Sequence, residues 1–407
     1  MKTRRRLALL LPLCAALALV TSTSPAKDEL ETEKLYIEIP NKGEPQRVIS
    51  QLASAYRFHP ETPLHRLRAL NSFAVVVRPE AGNISQLLTS LAEDSRVTSA
   101  AVVKNFVVAG ARGAPSSSEL RADQPDPYAP LQYSHDATRV TQAQRFASGR
   151  GVKVAVIDTG IDGDHVDLSK RIEKQLNFVS AEQEAGGMEF HATAVAGIIA
   201  AERDNGHGIG GVAPEAQLFA LRACVESNPG SSRGKCSSVA LARAIDWAII
   251  NQMDIVNMSV RGQDDQLVTR LISKAFEKGI VVVAATDLVN GQLDFPAKLD
   301  QVIAVSDQES NSLVGLAAHS QRIFIAPGEE ILTTLPNDTY DFVTGASFAA
   351  AHVSGIVALL REKAPGLSPS EVTSVLRSSV RVVNWGILVD SCQALMRLGA
   401  ASSCQIY

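Results

Sequence analysis

The stretch VKVAVIDTGID, residues 152–162, decides the fold class, because a short apolar run ends there on a charged residue. The run from Val152 to Ile157 is apolar except for Lys153, which is typical of a strand buried on both faces of a sheet. Asp158 would then stand at the carboxyl end of this strand, the edge at which open parallel sheets form their sites. By itself Asp158 could equally well cap the following turn.

Similar apolar runs recur along the second part of the chain and are separated in most cases by helical patterns. They are QLFALRA (217–223), DIVNMSV (254–260), IVVVAA (280–285), QVIAVS (301–306) and RIFIAPG (322–328). This alternation predicts an α/β domain whose parallel sheet is covered by helices on both faces. Helix starts are marked as well. Asp264 and Asp265 precede one helix, and Ser368, Pro369 and Glu371 form a capping box with a first-turn proline for another.

The first part of the chain has a different pattern on a smaller scale. Strand-like segments (35–39, 73–79 and 101–110) alternate there with amphipathic helical segments (45–56 and 83–94). This alternation predicts a small α+β unit within residues 27–110. Residues 111–127, ARGAPSSSELRADQPDP, contain few apolar side chains. Such a composition is typical of an exposed linker that a protease can cut.

Composition and charge limit the classes of protein to be considered. The chain has 407 residues, of which 45% are hydrophobic and 20% charged, as in a globular protein with two to three domains at about 150 residues each. Lys and Arg number 39 against 43 Asp and Glu, so the formal net charge is −4. No run of like charge is long enough to indicate a nucleic-acid-binding surface. Nucleic acid is therefore not an expected partner.

The amino-terminal residues 1–26 have the pattern of a cleaved export signal. A basic start is followed by an apolar stretch from Leu7 to Val20 and by small residues near Ala26. A membrane anchor is the alternative, but the stretch is shorter than the ~20 apolar residues that a spanning helix needs. Cys14 lies inside the stretch and follows a leucine, which argues against lipid attachment. We expect a secreted or periplasmic protein with no membrane association after signal removal.

Removal of the signal leaves Cys224, Cys236, Cys392 and Cys404, an even number in a chain bound for an oxidising compartment. Four cysteines allow three pairings. We favour the local pairing, Cys224 with Cys236 and Cys392 with Cys404, because it closes two loops of equal span, each stabilised by about 3 kcal/mol. Free thiols are an alternative, and a thiolate metal site has no close cysteine pair to support it.

Two further polar residues lie at the starts of helical patterns. His191 opens HATAVAGIIAAE, and Ser347 lies in GASFAAAHVSGIVALL, residues 345–360. Both patterns are apolar on all faces, which predicts buried helices, and a helix amino terminus favours developing negative charge. A lone histidine at such a position is usually structural, and a serine hydroxyl alone is a poor nucleophile. Chemistry therefore requires that Asp158, His191 and Ser347 meet.

The order Asp, His, Ser and the stretches VAVIDTGID, HATAVAGIIA, NMSV, FPA and GASFAAAHVSG resemble the subtilisin-like serine proteases, or subtilases, over residues 127–390. The resemblance implies a subtilisin-like catalytic domain, residues 128–407. It further implies that residues 27–110 are a ferredoxin-like propeptide, a chaperone and inhibitor released by a cut in the linker. Ser347 would attack a peptide carbonyl, His191 would act as general base, and Asp158 would orient the imidazole. No cofactor is needed.

One departure from the family concerns the oxyanion. The family has a Gly-Asn pair whose amide donates a hydrogen bond to the oxyanion, and this chain has Thr286 and Asp287 there. An ionised carboxylate only accepts hydrogen bonds, and loss of the amide in subtilisin itself lowers turnover by about 10²–10³. A protonated Asp287 could still donate, although only in a narrow pH window. We expect a slow protease whose turnover rises in an Asp287→Asn variant.

Other departures lie along the cleft and beside the base. Ser259, Val260, Arg261 and Gly262 match the strand edge that binds the substrate backbone, and Arg261 stands where the family usually has glycine. Arg261 is either solvated, or it narrows the cleft or selects acidic substrate residues. The family's His-Gly-Thr-His motif has alanines here, at 192 and 194, and the usual proline after the serine is replaced by alanine at 351. None of these changes removes a reacting group.

No metal site is predicted, and the leading function has two alternatives. Residues 203–214, RDNGHGIGGVAP, match a segment that binds calcium in some relatives, but their oxygen ligands are too few to predict a site, so we predict no metal. The leading function is an exported serine endopeptidase, made as a monomeric zymogen, whose partners are peptide or protein substrates and its own propeptide. The alternatives are a catalytically impaired scaffold that binds peptides or proteins in its cleft, favoured by Asp287, Ala192, Ala194 and Arg261, and a protein that cuts only its own linker.

Overall fold

The computed structural model describes residues 34–80, 84–108, 110–112, 126–179, 189–228, 233–287, 292–307, 322–383 and 386–405. The predicted export signal, residues 1–26, and residues 113–125 of the predicted linker lie outside the described residues. No helix in the described ranges combines the length and the apolar character needed to cross a membrane.

Residues 34–102 form a small α+β unit. Its strands are β1 (Leu35–Pro40), β2 (Phe58–Pro60), β3 (His65–Leu67), β4 (Ser72–Pro79) and β5 (Ser99–Val102), and its helices are α1 (Pro45–Tyr56) and α2 (Ile84–Glu93). The strands pair antiparallel in the order β2-β4-β1-β5, with β3 also paired to β4. Alternate side chains of β1 and β4, such as Ile37 and Val75, pack against Leu52 and Leu91 of the helices, because strand side chains alternate between faces.

The stretch 101–110, which reads as one strand in the sequence, is divided between two sheets. Its first part belongs to β5, whereas β6 (Asn105–Val108) and β7 (Ala111–Arg112) pair with strands of the second part of the chain. The first two residues of the predicted linker therefore form a strand. Hydrophobic alternation predicts that a segment is extended but does not identify its pairing partner, and the partners here are more than a hundred residues away.

The second part of the chain contains the remaining elements. Its strands are β8 (Lys153–Asp158), β9 (Ile172–Asn177), β10 (Gln217–Arg222), β11 (Cys224–Glu226), β12 (Gly234–Ser237), β13 (Ile255–Met258), β14 (Arg261–Gly262), β15 (Val281–Ala285), β16 (Val302–Ser306), β17 (Ile323–Ile325), β18 (Ile331–Leu335), β19 (Thr339–Thr344), β20 (Val380–Val383) and β21 (Gly386–Val389). Its α-helices are α3 (Tyr133–Ala137), α4 (Val140–Ala143), α5 (Phe190–Ala200), α6 (Ser238–Ile250), α7 (Gln266–Glu277), α8 (Ala346–Lys363), α9 (Pro369–Arg377) and α10 (Ser391–Arg397), and a 3₁₀ helix spans Ala129–Leu131.

A parallel sheet forms the centre of this part, as the apolar runs predict. Among the described residues it has seven strands in the order β17-β16-β15-β13-β8-β10-β9. Val154 and Val156 of β8 face a cluster that includes α5 and α8, whereas Ala155 and Ile157 face α6 and α7. Both faces of the sheet are therefore covered by helices, which confirms the predicted fold class.

The predicted helix starts are confirmed in detail. Asp265 is the N-cap of α7 and accepts a hydrogen bond from Val268 N at 3.0 Å. Ser368 and Glu371 form the capping box of α9. Helix α8, buried from Ala346 to Arg361, packs against β13, β15 and β16. Its apolar and small side chains face packed neighbours on all sides, which is why it shows no amphipathic stripe.

Two smaller sheets bring β6 and β7 into the second part. β6 lies between β12 and β14 in an antiparallel sheet of order β11-β12-β6-β14, and β7 pairs with β19 beside β18. β11 follows β10 and β14 follows β13 along the chain, so β6 lies at the carboxyl edge of the parallel sheet. The remaining strands, β20 and β21, pair antiparallel with each other.

Two disulfides and a polar interface tie the molecule together. Cys224–Cys236 joins β11 to β12, and Cys392–Cys404 joins α10 to the carboxyl-terminal segment, which is the local pairing that the sequence predicts.

The N-terminal unit packs on α6 and α7. Glu38, fully buried, accepts a hydrogen bond at 2.6 Å from Arg270 of α7, and Asp246 of α6 accepts one at 2.7 Å from Ala69 N.

Candidate active site

The three candidate catalytic residues occupy the ends of three core elements. Asp158 is the last residue of β8, His191 is the second residue of α5, and Ser347 is the second residue of α8. Asp158 and His191 are fully buried, and Ser347 is 4% exposed. Helices α5 and α8 pack against each other. The fold therefore brings together residues that are far apart in the sequence.

Asp158 and His191 are joined by a hydrogen bond. His191 Nδ1 lies 2.8 Å from Asp158 Oδ1 and 3.0 Å from Oδ2. Because an ionised carboxylate only accepts, this contact places a proton on Nδ1 and leaves Nε2 as the nitrogen with a free electron pair. His191 Nε2 is buried and has no hydrogen-bond partner within the described part of the chain. The arrangement thus provides a proton acceptor.

Ser347 is held against the end of β13 and beside His191. Its Oγ donates a hydrogen bond to Ser259 O at 3.4 Å, and Ser259 Oγ donates one to Ser347 O at 3.1 Å. The next residue, Phe348, has its ring 5.5 Å from that of His191 between centroids. A further chain of hydrogen bonds, from Ser354 Oγ to Asn257 Oδ1 at 2.8 Å and from Asn257 Nδ2 to Ser259 Oγ at 3.1 Å, fixes α8 on β13.

An ion pair between a buried glutamate and a largely buried arginine fixes the start of α5. Glu189, the N-cap residue before the helix, accepts hydrogen bonds from Gly160 N and from Arg222 Nε, the latter at 2.8 Å. Gly160 follows Asp158 by two residues, so Glu189 links the loop after β8 to the helix that carries His191. Neither Glu189 nor Arg222 belongs to a motif, and their pairing across two elements leaves no local signal in the sequence.

β6 occupies the cleft next to these residues. Phe106 is fully buried, with its ring 5.8 Å from that of Phe295. A Cβ on Gly262 would lie 2.4 Å from Cδ1 of Phe106, so only a glycine there lets the ring approach so closely. The neighbouring Val107 is 44% exposed. Two residues after β6, a Cβ on Gly110 would lie 2.8 Å from the ring of Phe348.

The predicted substrate-binding edge contacts β6 directly. Arg261 is the pairing partner of Val107, and Gly262 is that of Phe106. On its other side, Gly262 N donates to Phe295 O at 2.9 Å. Ser259 and Val260 are buried below this edge. The backbone of residues 261–262 thus binds an extended strand, in the mode by which a peptide adds to a sheet edge.

Arg261 and Asp287, two departures from the family pattern, form an ion pair. Arg261 Nη1 donates a hydrogen bond to Asp287 Oδ2 and lies 3.9 Å from Asp294 Oδ2. Burial raises the pKa of Asp294, although the nearby Arg261 opposes this shift. Asp287 accepts a charge-assisted hydrogen bond from the guanidinium. One arginine thus lies between two acidic side chains.

The remaining departures are accommodated by packing. Ala192, Ala194 and Ala351 are fully buried. Ala192 N donates to Thr159 Oγ1 at 3.1 Å, and Ala194 O accepts from Thr333 Oγ1 at 2.7 Å. The start of α5 is therefore held by hydroxyl groups.

The segment 203–214 is bound by an aspartate from outside it. Asp167 accepts hydrogen bonds from Asn205 Nδ2 at 2.9 Å, Ile209 N at 3.1 Å and Tyr340 OH at 2.9 Å. Within the ranges that the structure describes, no three His, Cys, Asp or Glu side chains are grouped so that they could hold a metal ion.

Comparison with known proteins agrees with this geometry. Residues 149–393 match the Subtilase family. Subtilisin DY of Bacillus licheniformis is 37% identical over 248 residues, which are 58% of this chain and 86% of that protein. Thermitase of Thermoactinomyces vulgaris is 32% identical over 259 residues, 62% of this chain and 90% of that protein. Fervidolysin from Fervidobacterium pennivorans, described as a keratinolytic enzyme related to subtilisin, shares the fold with a TM-score of 0.71 at 21% identity, over 89% of this chain and 61% of that one.

Proposed function

The chain belongs to the subtilase family, and on this premise we propose that it is an exported serine endopeptidase, made as a zymogen, that hydrolyses peptide bonds with Ser347, His191 and Asp158. One observation carries the proposal. His191 Nδ1 is hydrogen-bonded to Asp158 at 2.8 Å, which leaves a buried Nε2 with no partner among the described residues, next to the first turn of α8, which carries Ser347. The substrates are peptides or proteins, and the mechanism needs no cofactor.

The reaction follows from the positions of these groups. The Ser347 hydroxyl turns from Ser259 O towards His191 Nε2 and gives its proton to that nitrogen as Oγ bonds to the substrate carbonyl carbon. Asp158 stabilises the imidazolium that forms. His191 then protonates the leaving amine as the C–N bond breaks, and a water molecule hydrolyses the acyl-enzyme by the same route. Catalytic hydrogen bonds are often long without substrate, so the present direction of the hydroxyl does not oppose this role.

Turnover is expected to be slow. The start of α8 directs its positive end towards the oxyanion, but Asp287 provides a carboxylate where relatives in the family have an amide. The ion pair with Arg261 neutralises that carboxylate without replacing the lost donor. In subtilisin, loss of the amide lowers kcat by about 10²–10³. We expect a comparable deficit in this protein.

The N-terminal unit acts as propeptide and first substrate in this proposal. β6 adds to the strand edge at residues 261–262 as a substrate backbone would, and β7 adds to β19, which ends three residues before Ser347. β6 ends at Val108 and β7 begins at Ala111, so we place the processing cut between these two residues, at the start of the linker in which the sequence predicts it. Contacts such as Glu38–Arg270 would keep the cut propeptide bound as an inhibitor.

Substrate preference follows from the same register. Phe106 fills an apolar pocket against Phe295, whereas Val107 faces solvent. We therefore expect substrates with an aromatic residue at the Phe106 position and little selection at the next. Export by the signal at residues 1–26 agrees with the two disulfides, which persist in oxidising compartments. The released protein would act outside the cytoplasm as a monomer.

Expression of the full-length chain and of a Ser347→Ala variant tests the proposal. Intact mass and amino-terminal sequencing should show a break between Val108 and Ala111 in the wild type and an uncut chain in the variant. The processed wild type should also hydrolyse added peptides that carry the sequence FVVAGA. Equal cutting of both proteins would contradict the assignment of Ser347. Cutting of the chain without hydrolysis of added peptides would limit the activity to self-processing.

A further inference from the structure

We propose that the Arg261–Asp287 ion pair determines specificity at the subsite for the side chain of the residue whose carbonyl Ser347 attacks, and that it restricts this residue to alanine or glycine. The proposal rests on the peptidase function proposed above and specifies its substrate class. Neither residue forms a covalent bond to the substrate or transfers a proton in the reaction. Their role is to fill the space into which that substrate side chain would extend.

The subsite lies between two walls that the ion pair bridges. β13 and β15 are adjacent parallel strands, with Met258 paired to Ala284, and the chain segments that leave them form the walls. One wall is residues 259–262. The other is residues 286–287, which Asp294 N binds through Thr286 Oγ1 at 3.2 Å. The Arg261 side chain starts on the first wall and reaches Asp287 on the second.

The strand register shows which substrate side chain meets this pair. In the antiparallel pairing of β6 with β14, Arg261 stands opposite Val107 and Gly262 opposite Phe106. If a bound peptide continues this register, the residue two places after the one opposite Arg261 faces Ser259, whose carbonyl oxygen is 3.4 Å from Ser347 Oγ. That residue is the one attacked. Its side chain shares a face with Arg261 and is a diagonal neighbour of it.

The Arg261–Asp287 ion pair can stay intact only when the substrate side chain in this subsite is small. Arg261 and Asp287 are only 24% and 33% exposed in their side chains, so a large side chain would have to break a partly buried, charge-assisted hydrogen bond to enter. An acidic side chain would meet an arginine already shared with Asp287 and Asp294. The chain's own sequence agrees, because it has only alanine and glycine between Val108 and Arg112.

The test uses self-processed protein and blocked peptides FVVXGA in which X is Ala, Leu, Phe or Glu. The wild type should hydrolyse the Ala peptide at least about 10-fold faster in kcat/KM than the Leu or Phe peptides. Arg261→Ala should raise the ratio of kcat/KM for the Leu peptide to kcat/KM for the Ala peptide about 10–100-fold, because an apolar side chain can then fill the opened space. Asp287→Asn should raise the ratio of kcat/KM for the Glu peptide to kcat/KM for the Ala peptide about 5-fold. The reason is that Arg261 loses its nearest neutralising partner and can attract the Glu side chain.

A matched control and a labelling step separate the possible failures. Arg322 forms an ion pair at 3.0 Å with Asp300, outside the cleft, and Arg322→Ala should leave all ratios unchanged. A wild type that prefers Leu, Phe or Glu, or ratios that stay the same in both cleft variants, would overturn the specificity proposal. Those results count only where a fluorophosphonate labels Ser347. A wild type that is neither labelled nor active would overturn the proposed function and this inference together.

Discussion

Truncation of the buried aromatic residue in a substrate should cause a large loss of activity whose size follows from the structure. Phe106 is fully buried and contacts the ring of Phe295 at 5.8 Å. Burial of a phenylalanine side chain contributes about 1.5–3 kcal/mol, and an aromatic contact adds about 0.5–1.5 kcal/mol. If a peptide substrate binds as β6 does, its Phe→Ala counterpart should lose about 30–2000-fold in kcat/KM, or about 2–4.5 kcal/mol.

The assay compares three blocked peptides on the self-processed protein: FVVAGA, AVVAGA and FAVAGA. The second removes the side chain that corresponds to Phe106. The third removes the one that corresponds to Val107, which is 44% exposed and should change kcat/KM by less than about 3-fold. Equal losses for both truncations, or a loss below about 3-fold for AVVAGA, would refute the idea that substrates follow the path of β6.

Three other perturbations test the account at separate places. Asp158→Asn should lower kcat by about 10⁴ on the FVVAGA peptide, because the imidazole loses the acceptor that sets its tautomer; an unchanged kcat would remove Asp158 from the mechanism. Arg261→Ala combined with Asp287→Asn should raise kcat by about 10-fold or more by supplying an amide near the oxyanion, and a slower double variant would show that the native pair assists turnover. Burial, helped by Arg243, lowers the pKa of His65 to about 4 from its ordinary 6.5. As the pH is lowered from 6.5 to 4, the unfolded chain therefore takes up a proton at His65 that the folded chain does not. The free energy of unfolding should decrease over this pH range. Urea titrations of the uncut Ser347→Ala protein should show a smaller fall when His65→Gln is added, and equal falls would exclude His65 as a source of the pH dependence.

Local sequence patterns are sufficient to predict the features that depend on residues close together in the sequence. The apolar run before Asp158 predicts a strand of the parallel sheet because burial on both faces requires an apolar side chain at nearly every position. The caps at Asp265 and Ser368 are predictable because the capping side chain and its backbone partner lie within three residues. Equal, short spacings likewise favour the pairing that the two disulfides have.

Features that depend on distant partners could not be predicted in this way. The stretch 101–110 is extended, as its sequence indicates, but its second half pairs with β12 and β14 instead of the N-terminal sheet. Asp287 and Arg261 are each recognisable as departures from the family, yet only the directions of their side chains show that they neutralise each other. The pairing of Glu189 with Arg222 is likewise a product of tertiary structure.

The coupling of the two departures changes how variants of this cleft should be interpreted. A single Asp287→Asn change supplies an amide but also removes the nearest partner of Arg261, so its effects on turnover and on specificity are combined. The double variant separates them, because it removes the arginine at the same time. Neighbouring residues that share an interaction are not expected to have additive effects.

A mass measurement on fluorophosphonate-treated protein tests directly whether Asp158, His191 and Ser347 act together. We expect a single label on Ser347 of the processed wild type, about 10⁴ slower labelling of Asp158→Asn at neutral pH, and no label on Ser347→Ala. A label on another residue of the wild type, or an unlabelled wild type that still hydrolyses FVVAGA, would contradict the claim that Asp158, His191 and Ser347 act together.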